Sequence, residues 1–270
     1  MVVRELYELG LNMLESVDVR AILEDTLNIE FGKLILHFED LVSEKDIDTC
    51  VKNFEKRYKN MPLSYITNKK EFYSFSFYVK EGVLIPRPET ENLVTAVLEN
   101  LPDKKDIKIA DLCSGSGCIG ITLALKTGMP VSLFEISDEA IEVSKINCDK
   151  LSAKNIKITK KNILAEELDE CFDVIVSNPP YIPITDMDGI MPEVRDYEPR
   201  IALTDNSDGF VFYKRIAELS KKYLKEGGIL AVEVGINQHN EVKQIFSEMY
   251  ENIEIIKDYF GIERVVLGRV

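Results

Sequence analysis

The stretch IKIADLCSGSGCIG, residues 107–120, runs a short apolar segment straight into a glycine-rich turn. Residues 107–112 read as a strand, and glycines at 115, 117 and 120 permit a turn tight enough to open a helix. Free N–H groups at that helix start would let a ligand lie against bare backbone. Glu135 closes the next apolar run, VSLFE at 131–135, about twenty residues on, where a carboxylate can take ribose hydroxyls. The same glycine spacing satisfies the G-x-G-x-x-G pattern of dinucleotide sites. From this loop alone a nicotinamide or flavin cofactor stays open, as does a tight turn that binds nothing.

Working outward, apolar runs recur at 156–159, 172–177 and 229–234, separated by helical stretches such as 138–151 and 209–224. Strand–helix alternation of this kind predicts an α/β fold with a doubly wound, mostly parallel sheet. The tail IEIIKDYFGIERVVLGRV (253–270) reads instead as two strands around a Gly-containing turn. An antiparallel hairpin should therefore close a sheet of seven strands.

Upstream the texture is helical. Leu6, Leu9 and Met13 sit at helical spacing, and Asp18 is placed to cap a second segment ending near Leu27. Ser43 with Asp46 resembles a capping box for a helix whose stripe is Ile47, Val51, Phe54 and Tyr58. Met61-Pro62 ends that bundle. In EFYSFSFYV (71–79), Tyr73, Phe75, Phe77 and Val79 alternate with Ser74, Ser76 and Tyr78, a strand pattern within a hairpin. The expected organisation is a helical docking domain over 1–62, a β-hairpin linker over 63–85 and a cofactor-binding catalytic domain over 86–270.

The chain has 270 residues and a formal net charge of −14. Nucleic-acid binding needs Lys and Arg to neutralise phosphates, and no basic run is present, so no direct nucleic-acid partner is expected. No apolar stretch is long enough to span a bilayer, and the N-terminus lacks the apolar region of a signal peptide. A cytoplasmic, monomeric protein is the expectation. Five scattered cysteines and two histidines lack metal-ligand spacing, so no metal is expected either.

The chemical signal is Ser177-Asn178-Pro179-Pro180-Tyr181, at the end of the predicted fourth strand. Ligands of open α/β sheets bind at the carboxyl ends of the strands, so Asn178 emerges where the glycine loop points. Two prolines stiffen the backbone and remove N–H donors, leaving acceptors. An amide NH2 carries two donors. The Asn178 side-chain oxygen and the Pro179 carbonyl could hold both and aim the nitrogen at an electrophilic methyl group. Tyr181 could cover the planar group with its ring and attract the developing positive charge.

Together the two motifs resemble the amino-methyltransferase branch of class I S-adenosylmethionine (SAM)-dependent methyltransferases. Ile85-Pro86-Arg87-Pro88-Glu89-Thr90-Glu91 narrows the resemblance to the HemK/PrmC type, the peptide chain release factor glutamine methyltransferases. Pro62 to Ile66, Glu71 to Tyr73, Tyr197-Glu198-Pro199, Asp208-Gly209, Glu233 to Gly235 with Gln238, and Gly261 to Arg264 match that family too. The resemblance implies SAM as cofactor, held by Asp111, Cys113, Ser114, Gly115, Ser116, Gly117, Glu135, Ile136, Asn162, Ile163 and Asn178. It implies catalysis by Asn178, Pro179 and Tyr181. Substrate binding would fall to these three with Pro180, Arg87 and Glu89. The implied partner is a class I release factor, methylated on the glutamine of its Gly-Gly-Gln motif and docked through the helical domain. Asn162 stands where relatives often have Asp, and Cys113 where Gly is more usual. Arg87 and Glu89 could also form an interdomain salt bridge, a role that does not exclude substrate binding. Rival readings are a ribosomal-protein glutamine methyltransferase, a DNA adenine amino-methyltransferase and a non-catalytic SAM-binding module.

Overall fold

A computed structural model describes residues 1–270. Two compact units emerge: residues 1–69 with 191–197, and residues 70–190 with 198–270. No helix is long and apolar enough to cross a membrane.

The smaller unit contains α1 (Val3–Leu11), α2 (Ser16–Thr26), α3 (Glu44–Tyr58) and α4 (Leu63–Thr67). Leu6, Val19, Ile22, Leu23, Leu34, Cys50 and Phe54 form its core, with Ile47 and Val51 packed against it. Ser43 caps α3 as its spacing predicts, accepting from the Asp46 N–H at 3.2 Å. Tyr58, at the end of the expected stripe, faces solvent instead. Asp18 also departs from expectation. Glu15 is the N-cap of α2 and offers no side-chain cap, while Asp18 lies inside the first turn. Its carboxylate accepts from Arg57 Nε at 2.8 Å, because a half-buried guanidinium is a stronger partner than a solvent-facing N–H.

The larger unit begins at Lys70, within the hairpin of β1 (Lys69–Phe72) and β2 (Phe75–Tyr78). The alternating run at 71–79 is thus broken by a turn at Tyr73 and Ser74, whose φ angles are 51° and 66°. Positive φ at both central residues suits a two-residue hairpin but strains side chains other than Gly and Asn. Glu91 steadies the turn by accepting from the Tyr73 N–H at 2.8 Å. There follow α5 (Glu91–Glu99), β3 (Ile109–Leu112), α6 (Cys118–Thr127), β4 (Val131–Glu135), α7 (Asp138–Lys150), β5 (Ile156–Lys160) and β6 (Phe172–Ser177). Next comes α8 (Pro192–Tyr197), which groups with the helical unit, and there the Tyr197 hydroxyl donates to the Lys59 carbonyl at 2.6 Å. The larger unit closes with α9 (Arg200–Leu203), α10 (Val211–Tyr223), β7 (Leu224–Glu233), α11 (His239–Ser247), β8 (Asn252–Lys257) and β9 (Glu263–Arg269).

The seven-stranded sheet has the order β5-β4-β3-β6-β7-β9-β8. Pairing is parallel from β5 to β7 and antiparallel at β9 and β8. This is the doubly wound sheet with an antiparallel C-terminal hairpin that the sequence pattern predicts. Ile109, Leu133, Val174, Val176 and Ala231 face one apolar layer with α5 and α6. Ala110, Leu112, Ile175, Leu230 and Val232 face the other, with α10 and α11. Strands covered on both faces read as continuous apolar runs, and for that reason β4 and β6 coincide with the runs in the sequence.

At Gly120, α6 packs directly against β3 and β4. A Cβ there would lie 2.2 Å from Leu133 Cδ2 and 3.0 Å from Asp111 Oδ2. Gly120→Ala is expected to lower stability by about 1–3 kcal/mol through overpacking. Gly189→Ala, where no heavy atom lies within 4 Å, should stay within about 0.5 kcal/mol of wild type. Urea denaturation of both variants checks the difference; equal midpoints would refute this account of the contact.

Candidate active site

Parallel register gathers the site. Leu112 pairs with Phe134 on one side and Ser177 on the other, and Ser177 pairs with Val232. The next residues, Cys113 and Asn178 just past their strands and Glu135 and Glu233 at the last position of theirs, therefore stand level at the carboxyl end of the sheet. Strand order reverses between β4 and β6 about β3, the switch point where open α/β sheets bind ligands.

The loop after β3 wraps around the Glu135 carboxylate. Oε2 accepts from the Gly115 N–H at 2.8 Å, while Oε1 accepts from Ile136 at 2.8 Å and Ser137 at 2.9 Å. Each carboxylate oxygen has two lone pairs, so Oε2 retains acceptor capacity for a further donor. Cys113 adopts a left-handed φ of 59°, and burial pushes its thiol well above the ordinary range. Below the loop, Asp111 is fully buried and ties the start of α6 down by accepting from the Gly120 N–H at 2.9 Å. Burial raises its carboxyl to about 8, against the lowering effect of that hydrogen bond. Oδ1 of Asp111 and the hydroxyl of Ser114 are buried without partners. In the loop after β5, Asn162 Oδ1 accepts from the Leu164 N–H at 3.1 Å.

Asn178 is held by one end. Its Nδ2 donates to the Thr90 hydroxyl at 3.2 Å, and the side-chain oxygen points away from that contact, available as an acceptor. Behind Thr90 lies the buried carboxyl of Glu233, raised to about 7 by burial and opposed by Thr90, Arg264 and Tyr181. The Tyr181 hydroxyl donates to Glu233 Oε1 at 3.4 Å. Burial, followed by the neighbouring Glu233, pushes the Tyr181 phenol above its usual range, so it stays neutral. Its backbone is clamped as well: the Tyr181 carbonyl accepts from Gln238 Nε2 at 2.8 Å. Two glycines make room for this strand end. A Cβ on Gly209 would meet the Tyr181 carbonyl at 2.4 Å, and one on Gly235 would meet Gln238 Oε1 at 2.6 Å.

A cavity of about 290 Å³ opens at this edge. Of the residues singled out from the sequence, Cys113, Gly115, Glu135, Ile136, Asn162, Ile163, Asn178 and Pro180 line it. Asp111, Ser114, Ser116, Gly117, Pro179, Tyr181, Arg87 and Glu89 do not. Arg87 is bound to the buried Glu198 carboxylate, which also accepts from the Ile85 N–H at 3.1 Å. Glu89 lies on the surface. That half-buried pair joins the segment after Leu84 to the one before Pro199, and both flanking segments line the cavity. Sequence reasoning missed the cavity walls from Gly82 to Leu84 and from Pro199 to Asn206, together with Phe134 and Lys161. Thr90 and Glu233 have no role that their local sequence assigns, although a lone carboxylate within an apolar run, as in ILAVEV at 229–234, is a usable signal.

Comparison with known proteins follows the same lines. Residues 9–67 match the PrmC N-terminal domain and residues 90–189 the Methyltransferase small domain. A release factor glutamine methyltransferase of Clostridium acetobutylicum is 43% identical over 87% of this chain and 84% of that protein. One from Leptospira interrogans is 37% identical over 93% and 90%. Among solved structures, a methyltransferase from Pyrococcus furiosus aligns with a TM-score of 0.56 at 16% identity, covering 74% of this chain and 91% of that one. A 16S rRNA methyltransferase of Thermus thermophilus, in complex with AdoMet and guanosine, aligns at 0.53 and 17% identity over 74% and 49%. At such identities the two structures speak for the fold alone.

The buried carboxyls carry a pH signature. Asp111 keeps its proton to about 8 in the folded chain, whereas an unfolded Asp releases it near pH 3.9. Between those values the native state binds more protons, so stability falls as pH rises through the window and levels off above it. Urea midpoints should therefore drop between about pH 5 and pH 8, and Asp111→Asn should flatten the drop. Parallel pH dependence in the variant and the wild type would count against a protonated Asp111.

Proposed function

The chain belongs to the release factor glutamine methyltransferase family, and from that premise we propose that it methylates a glutamine side-chain amide nitrogen on class I peptide chain release factors. The methyl donor is SAM, and the target is the glutamine of the Gly-Gly-Gln motif. One observation carries this reading. Asn178 leaves β6 at the cavity edge with its NH2 engaged by Thr90 and its oxygen available.

The residues present suit SAM. Phe134, Ile136, Ile163 and Leu164 give the cavity apolar walls for a flat base, and Glu135 Oε2 keeps a lone pair for a ribose hydroxyl. The backbone of Cys113 and Gly115 borders the same space. When bound, SAM supplies an electrophilic methyl group on a sulfonium.

The protein's part is orientation. An amide nitrogen is a poor nucleophile because its lone pair is delocalised, and its two hydrogens need acceptors. Asn178 Oδ1 takes one and the Pro179 carbonyl the other, turning the nitrogen toward the methyl group. Both acceptors favour positive charge as it develops on that nitrogen. Tyr181, neutral and clamped at its backbone and hydroxyl, covers the planar group. The proton leaves after transfer, so no strong base is required beside Asn178. The PrmC-type helical unit serves to dock the release factor.

Incubation of a class I release factor with this protein and SAM, followed by mass spectrometry, should find one added methyl group on the Gly-Gly-Gln glutamine. Methylation of a ribosomal protein in its place would redirect the reading to the sister activity. Asn178→Ala should lose transfer by at least about 100-fold while SAM affinity changes little; near-normal turnover would sink the role given to Asn178. Glu135→Gln, which keeps the side chain's shape, should weaken SAM binding about 10-fold or more by calorimetry. Unchanged affinity would place the ribose elsewhere.

A further inference from the structure

An asparagine amide has two ends of nearly equal size. Rotated by half a turn, Asn178 would present NH2 to the substrate's NH2, and donor would face donor. The site needs something that tells the ends apart. Thr90 is the group in contact: its hydroxyl accepts from Asn178 Nδ2 at 3.2 Å, and the residue is 2% exposed. A hydroxyl can donate as readily as it accepts, so Thr90 discriminates only if its own proton is committed elsewhere. Glu233 offers an acceptor for it. Val232 pairs with Ser177, so Glu233 and Asn178 emerge side by side. Its carboxyl is buried, the Thr90 hydroxyl favours its charged form, and one of its oxygens, Oε2, is buried without a hydrogen-bond partner, an open acceptor.

We propose that Thr90 is a positioning residue for methyl transfer, its hydroxyl oriented by Glu233 so that Asn178 can present only its oxygen to the substrate. This rests on the role given to Asn178 above. Were the amide reversed, Oδ1 would draw the Thr90 proton away from Glu233, leaving a buried carboxyl with less support. Tyr181 donates to the same carboxyl at 3.4 Å. Glu233 thus ties the amide holder and the aromatic cover to one buried anchor.

Steady-state kinetics of the full-length protein, with SAM and a class I release factor, test the idea. Thr90→Val keeps the shape and removes the acceptor. It is expected to lower kcat by about 10- to 100-fold while KM for the release factor and the Kd for SAM stay within about 3-fold. Thr90→Ser restores the hydroxyl and should return kcat to within about 3-fold of wild type. A Thr90→Val enzyme with wild-type kcat, or a Thr90→Ser enzyme as slow as Thr90→Val, overturns the proposal. Should Thr90→Val fail to fold, Thr90→Ala carries the same comparison. Loss of folding in both variants would assign Thr90 to the core alone and also overturn it. A wild-type protein that binds SAM yet methylates no release factor sinks the substrate reading and this proposal together. An active wild type beside an unimpaired Thr90→Val sinks the proposal alone.

Discussion

The register of the parallel ladder is the constraint on which the rest of this structure depends. Leu112, Phe134, Ser177 and Val232 lie level across β4, β3, β6 and β7. Backbone hydrogen bonds and two buried apolar faces enforce that alignment, because a one-residue slip would turn every core side chain to the opposite layer. The residues that come next, at the carboxyl end of the sheet, are the polar ones. Cys113, Glu135, Asn178 and Glu233 come from positions far apart in the chain, yet a single edge presents them all. The cavity and the placing of Asn178 at its rim are products of that alignment before any of these side chains makes a contact.

At that edge the protein buries carboxyl groups in three different ways. Glu135 is satisfied by backbone N–H groups from Gly115, Ile136 and Ser137, and its charge shapes the loop. Glu198 is satisfied by Arg87 and the Ile85 N–H, which draws together two segments bordering the cavity. Asp111 and Glu233 each keep an unpartnered oxygen, and burial pushes their protons on toward neutral pH. A buried carboxyl without full support costs stability. They lie beneath the glycine-rich loop and beneath Asn178, and such local costs gather at functional sites.

The legibility of each element follows from what holds it. β4 and β6 matched their apolar runs because burial on both faces writes itself directly into composition. The hairpin at 69–78 was harder to read: its turn falls on Tyr73 and Ser74, which carry no glycine signal and rely on Glu91, distant in sequence, for support. Asp18 looked like a cap and became an ion-pair partner because Arg57 comes within reach only after folding. Likewise, residues 191–197 have no local feature that assigns them to the helical unit; contacts such as Tyr197 with Lys59 do so. In the site, the glycine loop, Glu135 and Asn178 stood out as chemical types at strand ends, whereas the walls at 82–84 and 199–206 have unremarkable composition.

By itself, then, the sequence determined the doubly wound sheet, its antiparallel closure, the glycine loop and the Asn-Pro-Pro-Tyr strand end, because periodicity, backbone freedom and residue chemistry are local properties. Tertiary structure alone decided that Arg87 serves Glu198, that Thr90 holds the Asn178 amide, and that Glu233 stands behind them both. Those pairings join positions 55 to 143 residues apart. Hydrogen-bond partners at such separations are chosen by the packing that buries them, and no local pattern in the chain records that choice.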